Sequence, residues 1–201
     1  LAVVESKPQI FYVGTASGGL WKTENHGDSW TPIFDDQPTA SIGDVTLAPS
    51  NPNVVWVGTG EPQNRQSSPW GAGVFRSTDA GRTWSFLGLE ETRHIARIVV
   101  HPRDPDVAYV AAVGHLWGPN EERGLYKSDD GGESWRRVLA VDELTGAVDV
   151  AMSPQDPNLM LAAMYQRQRR PWGFHGGGPG SALYRSTDGG ETWTKLTNTG
   201  L

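Results

Sequence analysis

Short apolar runs alternate with turn residues along the whole chain, and the spacing is that of strands. The runs at 54–57, 107–113 and 159–164 are apolar at successive positions, as expected of strands covered on both faces by neighbours. A Pro-x-Asn/Asp-Pro turn stands before each, in LAPSNPNVVWVGTG, VHPRDPDVAYVAAV and MSPQDPNLMLAAM. The opening LAVVESKPQIFYVG is the same element with only Pro8 retained. Proline fixes φ and Asn or Asp closes the turn, so each copy predicts a hairpin between two strands, A and B. Gly, Pro and β-branched residues interrupt every candidate helix within about two turns.

A second element keeps the same rhythm. RSTDAGRTW (76–84), KSDDGGESW (127–135) and RSTDGGETW (185–193) share Ser, Asp, Gly, Ser/Thr and Trp in register. KTENHGDSW (22–30) is a degenerate copy with Asn25 in place of Asp. Trp30, Trp84, Trp135 and Trp193 stand 54, 51 and 58 positions apart, a period suited to a four-stranded blade. Each repeat reads as strand A, the proline turn, strand B, a loop of variable length, strand C (73–77, 124–128, 182–186), the Asp turn, and strand D beginning at Trp. The predicted fold is all-β: a β-propeller of four-stranded antiparallel blades, with the Asp turn between strands C and D. The blades fall near 1–34, 41–88, 94–140 and 146–198, so that residues 1–201 form four consecutive blades. Blades cannot bury their faces alone, and complete propellers have typically four to eight, so the arc is expected to belong to a larger ring or assembly.

The Asp turn has a structural chemistry. Asp79, Asp130 and Asp188 can accept backbone N–H groups of their own turns, while Gly81, Gly132 and Gly190 can take positive φ. Trp84, Trp135 and Trp193 are expected to insert between blades as aromatic plugs. Each turn offers mainly one carboxylate, too few for a calcium loop. His94, His101, His115 and His175 lack a compact metal-ligand spacing, and HGGGPGS (175–181) lacks the Lys-Ser/Thr ending of a phosphate loop. No metal and no cofactor is therefore expected.

Composition narrows the partners. A net charge of -6 with both signs scattered offers no basic stripe for nucleic acid. No stretch approaches the roughly 20 apolar residues of a membrane helix. Cysteine is absent, so disulfide and thiol chemistry are excluded. The chain opens directly in strand-like residues without Met, which leaves room for a leader or a preceding domain.

Strand alternation sends the A–B and C–D turns to one end of each blade and the B–C and D–A connections to the other. The long loops at 60–72, 114–123 and 165–181 therefore gather opposite the Asp turns. With the D–A segments they bring Trp70, Arg93, His94, His115, Trp117 and Trp172 toward one rim, a set suited to a protein or glycan ligand. Asn64 and the carboxylates of Glu61, Glu91, Glu121 and Asp142 fall in the same regions.

The S-x-D-x-G-x-T/S-W signature resembles the Asp box, or bacterial neuraminidase repeat. Across GLWKTENHGDSWTPIFDD, SIGDVTLAPSNPNVVWVGTGE, TRHIARIVVHPRDPDVAYVAAVGHLWGPNEERGLYKSDDGG and GGPGSALYRSTDGGETW the chain is similar to exported bacterial proteins with a sortilin-like, xyloglucanase-like propeller. The resemblance implies an exported protein. The expected function is a non-catalytic binding or assembly module using the loop end, with the remaining blades or a second copy as further partners. The alternative is a glycoside hydrolase of xyloglucanase type, which needs two facing carboxylates. The arginine cluster and Tyr-Glu pair that a sialidase would carry have no matching motif.

Overall fold

The computed structural model describes residues 1–63, 65 and 67–197; Asn64 and position 198 lie outside the described residues. Four antiparallel sheets occupy the four repeats. The first holds β1 (Ala2–Val3), β2 (Phe11–Gly14), β3 (Leu20–Thr23) and β4 (Thr31–Pro32). The second holds β5 (Ile42–Ala48), β6 (Asn51–Thr59), β7 (Val74–Ser77) and β8 (Ser85–Phe86). A 3-10 turn at Glu90–Thr92 leads to β9 (Ile95–Val100), β10 (Ala108–Ala112), β11 (Gly124–Ser128) and β12 (Arg136–Leu139). The last repeat holds β13 (Thr145–Met152), β14 (Met160–Arg170), β15 (Gly173–Gly176), β16 (Ala182–Ser186) and β17 (Thr194–Lys195). In every sheet the A, B, C and D strands pair in chain order, and β15 adds to the far end of β14. The D strands open one residue after the Trp rather than at it.

Both expected turns sit at one end. The N–H groups of Ala80, Gly131 and Gly189, in the Asp boxes, donate to the carbonyls of Asn53, Asp106 and Asn158 in the proline turns of the same blades, at 2.9, 2.8 and 3.1 Å. Within each box the carboxylate works as a local acceptor. Asp79 takes the backbone N–H groups of Arg82 and Thr83 at 3.0 and 2.9 Å and the hydroxyls of Ser77 and Thr83 at 2.7 Å each. Ser128, Asp130 and Ser134, and Ser186, Asp188 and Thr192, repeat the pattern. These donors, hydroxyl and backbone N–H, hold Asp130 and Asp188 down to about 2 and Asp79 lower still. Two successive left-handed residues close each box. Where the third and fourth boxes have two glycines, the second puts Ala80 at φ 62 and the first puts His26 at φ 61.

Three buried hydrophobic clusters join the four sheets in sequence, each drawing on two adjacent blades. Among the described residues no fourth cluster joins the last blade to the first. Each seam repeats one arrangement. A strand-B aromatic (Tyr12, Trp56, Tyr109) lies under a strand-C cation (Lys22, Arg76, Lys127) at 5.6, 4.9 and 5.6 Å and meets the Asp box of the next blade. The Tyr12 and Tyr109 hydroxyls donate to the Ala80 and Gly189 carbonyls at 3.2 and 2.6 Å. In return the half-buried Trp84 and Trp135 donate from Nε1 to the Ile33 and Leu87 carbonyls of the preceding blade, both at 2.7 Å. Trp193 departs from this. It packs on the third cluster, but its Nε1 donates to Gly190 of its own turn at 3.0 Å. The inner strands approach so closely that a Cβ on Gly43 would collide with the Ile95 carbonyl.

Candidate functional site

The site residues come from the loop end, opposite the Asp boxes. Trp70 closes the β6–β7 connection, and Thr39, in the segment between the first two blades, donates from its hydroxyl to the Trp70 carbonyl at 3.1 Å. Arg93 follows the 3-10 turn in a left-handed conformation, φ 61, that a side chain rarely adopts. The Gly71 N–H fixes it by donating to the Arg93 carbonyl at 2.8 Å. The Arg93 guanidinium lies over the Trp70 ring at 4.8 Å, with the Glu91 carboxylate at 2.9 Å.

The β10–β11 loop carries His115 and Trp117, and a buried arginine braces it. Arg123 donates to the carbonyls of Val113, His115 and Gly118 at 3.0, 2.6 and 3.2 Å. His115 Nε2 stands 2.9 Å from the Glu91 carbonyl, tying this loop to the 3-10 turn. Trp70, Arg93, His115, Leu116 and Trp117 together line a cavity of about 90 Å³. Trp70 and Trp117 remain 59% and 44% exposed, large values for an aromatic side chain.

The fourth blade completes this end differently from the sequence expectation. The span 165–181 reads as a loop, yet β14 runs on to Arg170 and turns back as β15. Its register puts Trp117 and Arg169 in a parallel bridge, with the Arg169 N–H donating to the Leu116 carbonyl at 3.2 Å. Trp172 occupies the hairpin tip, 78% exposed, with Arg170 6.0 Å from its ring centre. Arg167 reaches from this blade to the Pro62 carbonyl of the second blade at 2.7 Å.

The structure thus brings Trp70, Arg93, His115 and Trp117 around one cavity and sets Trp172 on the adjoining hairpin. His94 is separate: it is fully buried, and neither ring nitrogen has a hydrogen-bond partner among the described residues. Burial, and then repulsion from Arg167, push it down to about 4, so it is neutral at pH 7. Burial likewise lowers Arg123 and Arg167 to about 10, both still cationic. Nothing in the sequence marks Arg123 as the brace of its loop. Of the carboxylates, Glu61 is buried and gripped by Arg65, with two contacts of 2.6 Å, and Glu91 faces Arg93. A larger cleft, about 820 Å³, lies elsewhere, between the first two Asp boxes. Its polar lining, such as Asn25, Ser29 and Thr83, is already spent on hydrogen bonds within the turns, so its size is that of a gap between outer strands. Among the described residues no helix is long and apolar enough to cross a membrane, and no group of three His, Cys, Asp or Glu side chains could hold a metal ion.

Comparison with known proteins gives a consistent result. The chain is 26% identical over 214 residues to a xyloglucanase from Paenibacillus sp., covering 96% of this chain and 20% of that protein. It is 29% identical over 163 residues to a xyloglucanase from Hypocrea jecorina, covering 74% and 18%. The chain spans about a fifth of the length of these curated relatives. Among solved structures it is similar to the GH74 xyloglucanase from Xanthomonas campestris, with a TM-score of 0.69, 21% identity, and coverage of 98% of this chain and 29% of that one. The GH74 enzyme of Niastella koreensis gives a TM-score of 0.69 at 22% identity, covering 97% and 28%. At such identities the structures speak for the blade fold alone. The family model of Sortilin-Vps10 (sortilin, neurotensin receptor 3) matches residues 72–200, well over half of the sequence, and the chain belongs to that family.

Proposed function

We propose that this chain is a polysaccharide-binding arc of a larger propeller, which grips its ligand at the loop end through Trp70, Arg93, His115, Trp117 and Trp172. The observation that carries this reading is the cavity between Trp70 and Trp117, set on loops that are braced before any ligand arrives. Exposed indoles on a rigid frame offer flat apolar faces to sugar rings at little entropic cost, while Arg93 and His115 supply donors at the rim. Similarity to proteins named xyloglucanases favours a glycan over a peptide. Buried His94, Arg123 and Arg167 support this surface from below. A polymer of that kind is met outside the cytoplasm, which makes the protein an exported one.

Hydrolysis is the second reading, favoured by the same relatives. It requires two carboxylates across a sugar, and blades outside these four can supply one. The binding reading is tested by titrating xyloglucan oligosaccharides into the protein and its Trp117→Ala variant by calorimetry. Trp117→Ala is expected to lose at least about fivefold in affinity, on the order of 1 kcal/mol, with an unchanged melting temperature. Equal affinity in the two proteins removes the cavity from the site. Release of reducing sugar that Glu61→Gln abolishes moves the assignment to hydrolysis.

A further inference from the structure

Four cations at the Asp-box end are matched by acids: Lys127 meets Glu191 at 2.6 Å, Arg136 meets Asp129 and Glu191 at 3.0 and 3.1 Å, Arg76 meets Asp106, and Lys22 meets Glu24 at 2.8 Å. At the loop end Arg65 and Arg93 have their own glutamates. The β14–β15 hairpin is different. No acidic residue occurs anywhere from 158 to 187, in a chain whose net charge is -6. Arg170 gives its Nε and Nη2 hydrogens to the neutral Gln168 amide oxygen, at 3.2 and 2.9 Å, and lies over Trp172. Arg169 has a buried Nε without a hydrogen-bond partner among the described residues, beside the Trp117 loop. Below them Arg123 is buried and donates to three carbonyls, with the Asp142 carboxylate as the acidic group that acts on it.

From this excess of positive charge next to exposed indoles, we infer that the site selects a polysaccharide carrying carboxylate groups, a uronate-type chain, with Arg169 and Arg170 as the carboxylate-binding residues. The inference rests on the polysaccharide-binding reading and adds the class of ligand to it. A charged carboxylate can displace the neutral Gln168 oxygen from the Arg170 Nε/Nη2 edge and take the same two hydrogens in parallel, charge-assisted bonds. Trp172 and Trp117 flank the two arginines, so one sugar can stack while the next presents its acid group. An anionic lipid surface is the competing partner for a basic aromatic hairpin. The glycan is favoured because Trp70 and Trp117 line a concave cavity, which suits a chain laid into it better than a flat bilayer surface.

The test is calorimetric titration of the full chain with oligogalacturonate and with neutral xyloglucan oligosaccharides, alongside sedimentation with phosphatidylserine-containing vesicles. Oligogalacturonate is expected to bind at least about tenfold more tightly than the neutral chain, with an advantage that shrinks as salt is raised. Arg169→Gln/Arg170→Gln, and the exposed Arg170→Gln alone in case the double variant is unstable, are expected to bring its affinity down toward that of the neutral oligosaccharide. Equal affinity for the two glycans, or an acid preference untouched by both variants, overturns the inference while leaving polysaccharide binding intact. Vesicle binding without glycan binding replaces it with a lipid partner. Binding of neither glycan overturns this inference and the reading beneath it together.

Discussion

Truncation of Trp135 tests the account of the seams most directly. Its ring is half-buried, 6.2 Å from Trp56 in an edge-on arrangement, and its Nε1 holds the Leu87 carbonyl of the preceding blade. Removing a fully buried Trp to Ala costs about 3–5 kcal/mol; a half-buried ring brings this to about 2. Loss of the hydrogen bond leaves the Leu87 carbonyl short of a partner for about 1 more. Trp135→Ala should therefore lose about 3 kcal/mol, which for a chain of this size lowers the melting temperature by about 6–12 °C. Trp135→Phe keeps most of the packing and should lose only about 1–2 kcal/mol. Trp193 does not bind a preceding blade through its indole N–H, so Trp193→Phe should fall below Trp135→Phe in cost. The assay is urea unfolding followed by circular dichroism and fluorescence. A Trp135→Ala protein within about 1 kcal/mol of the parent, or equal costs for the two Phe variants, would refute the cross-seam hydrogen bond as a source of stability.

Three further outcomes are expected. Ala80→Gly relieves a left-handed alanine in a turn that already closes on glycines in the third and fourth blades, and should stabilise by about 0.5–1 kcal/mol in the same unfolding assay. His94 is held down to about 4 from an ordinary 6.5, so the native state resists its protonation and the unfolded chain does not. Its share of stability, about 3 kcal/mol, is complete above about pH 6.5 and is lost as pH falls toward 4; His94→Gln should flatten this limb of a melting-temperature profile. The box carboxylates act at lower pH. Asp130 and Asp188 contribute fully above the unfolded value near 3.9 and lose that contribution as pH falls through about 2, so Asp130→Asn should shallow the acid-unfolding curve between those values.

The fold was legible because its period is written in residues with fixed conformational demands. Pro102, Asp104 and Pro105 can do little but turn, and Asp130 with two following glycines closes a box whatever surrounds it. The rim was legible from strand direction alone, which placed Trp70, Arg93, His115 and Trp117 at one end. The continuation of β14 was not, because YQRQRR has no apolar alternation to announce a strand; its backbone pairing, not burial of apolar side chains, extends it. The burial of His94 was hidden for a related reason. It depends on Arg167 and Glu61, which arrive from other blades and stand near it only after the sheets pack. The destination of the Trp indoles was half legible: the ring at the seam follows from the motif, but the carbonyl it meets belongs to a neighbour about fifty residues away.

The first two seams are clasped from both sides by unlike groups, a strand-B aromatic reaching forward and an indole reaching back, and at the third Trp193 contributes its ring but not its N–H. The joint therefore has a polarity, like a hook and its eye, and a blade can couple to a successor only in one sense. A gene segment encoding one whole blade brings both halves of the fastening with it, so such units can be duplicated or removed while the joints on either side still close. A half-blade insertion would strand one half of the clasp. In this architecture the module of inheritance coincides with the module of cohesion, and arcs of differing length can arise without a new kind of contact.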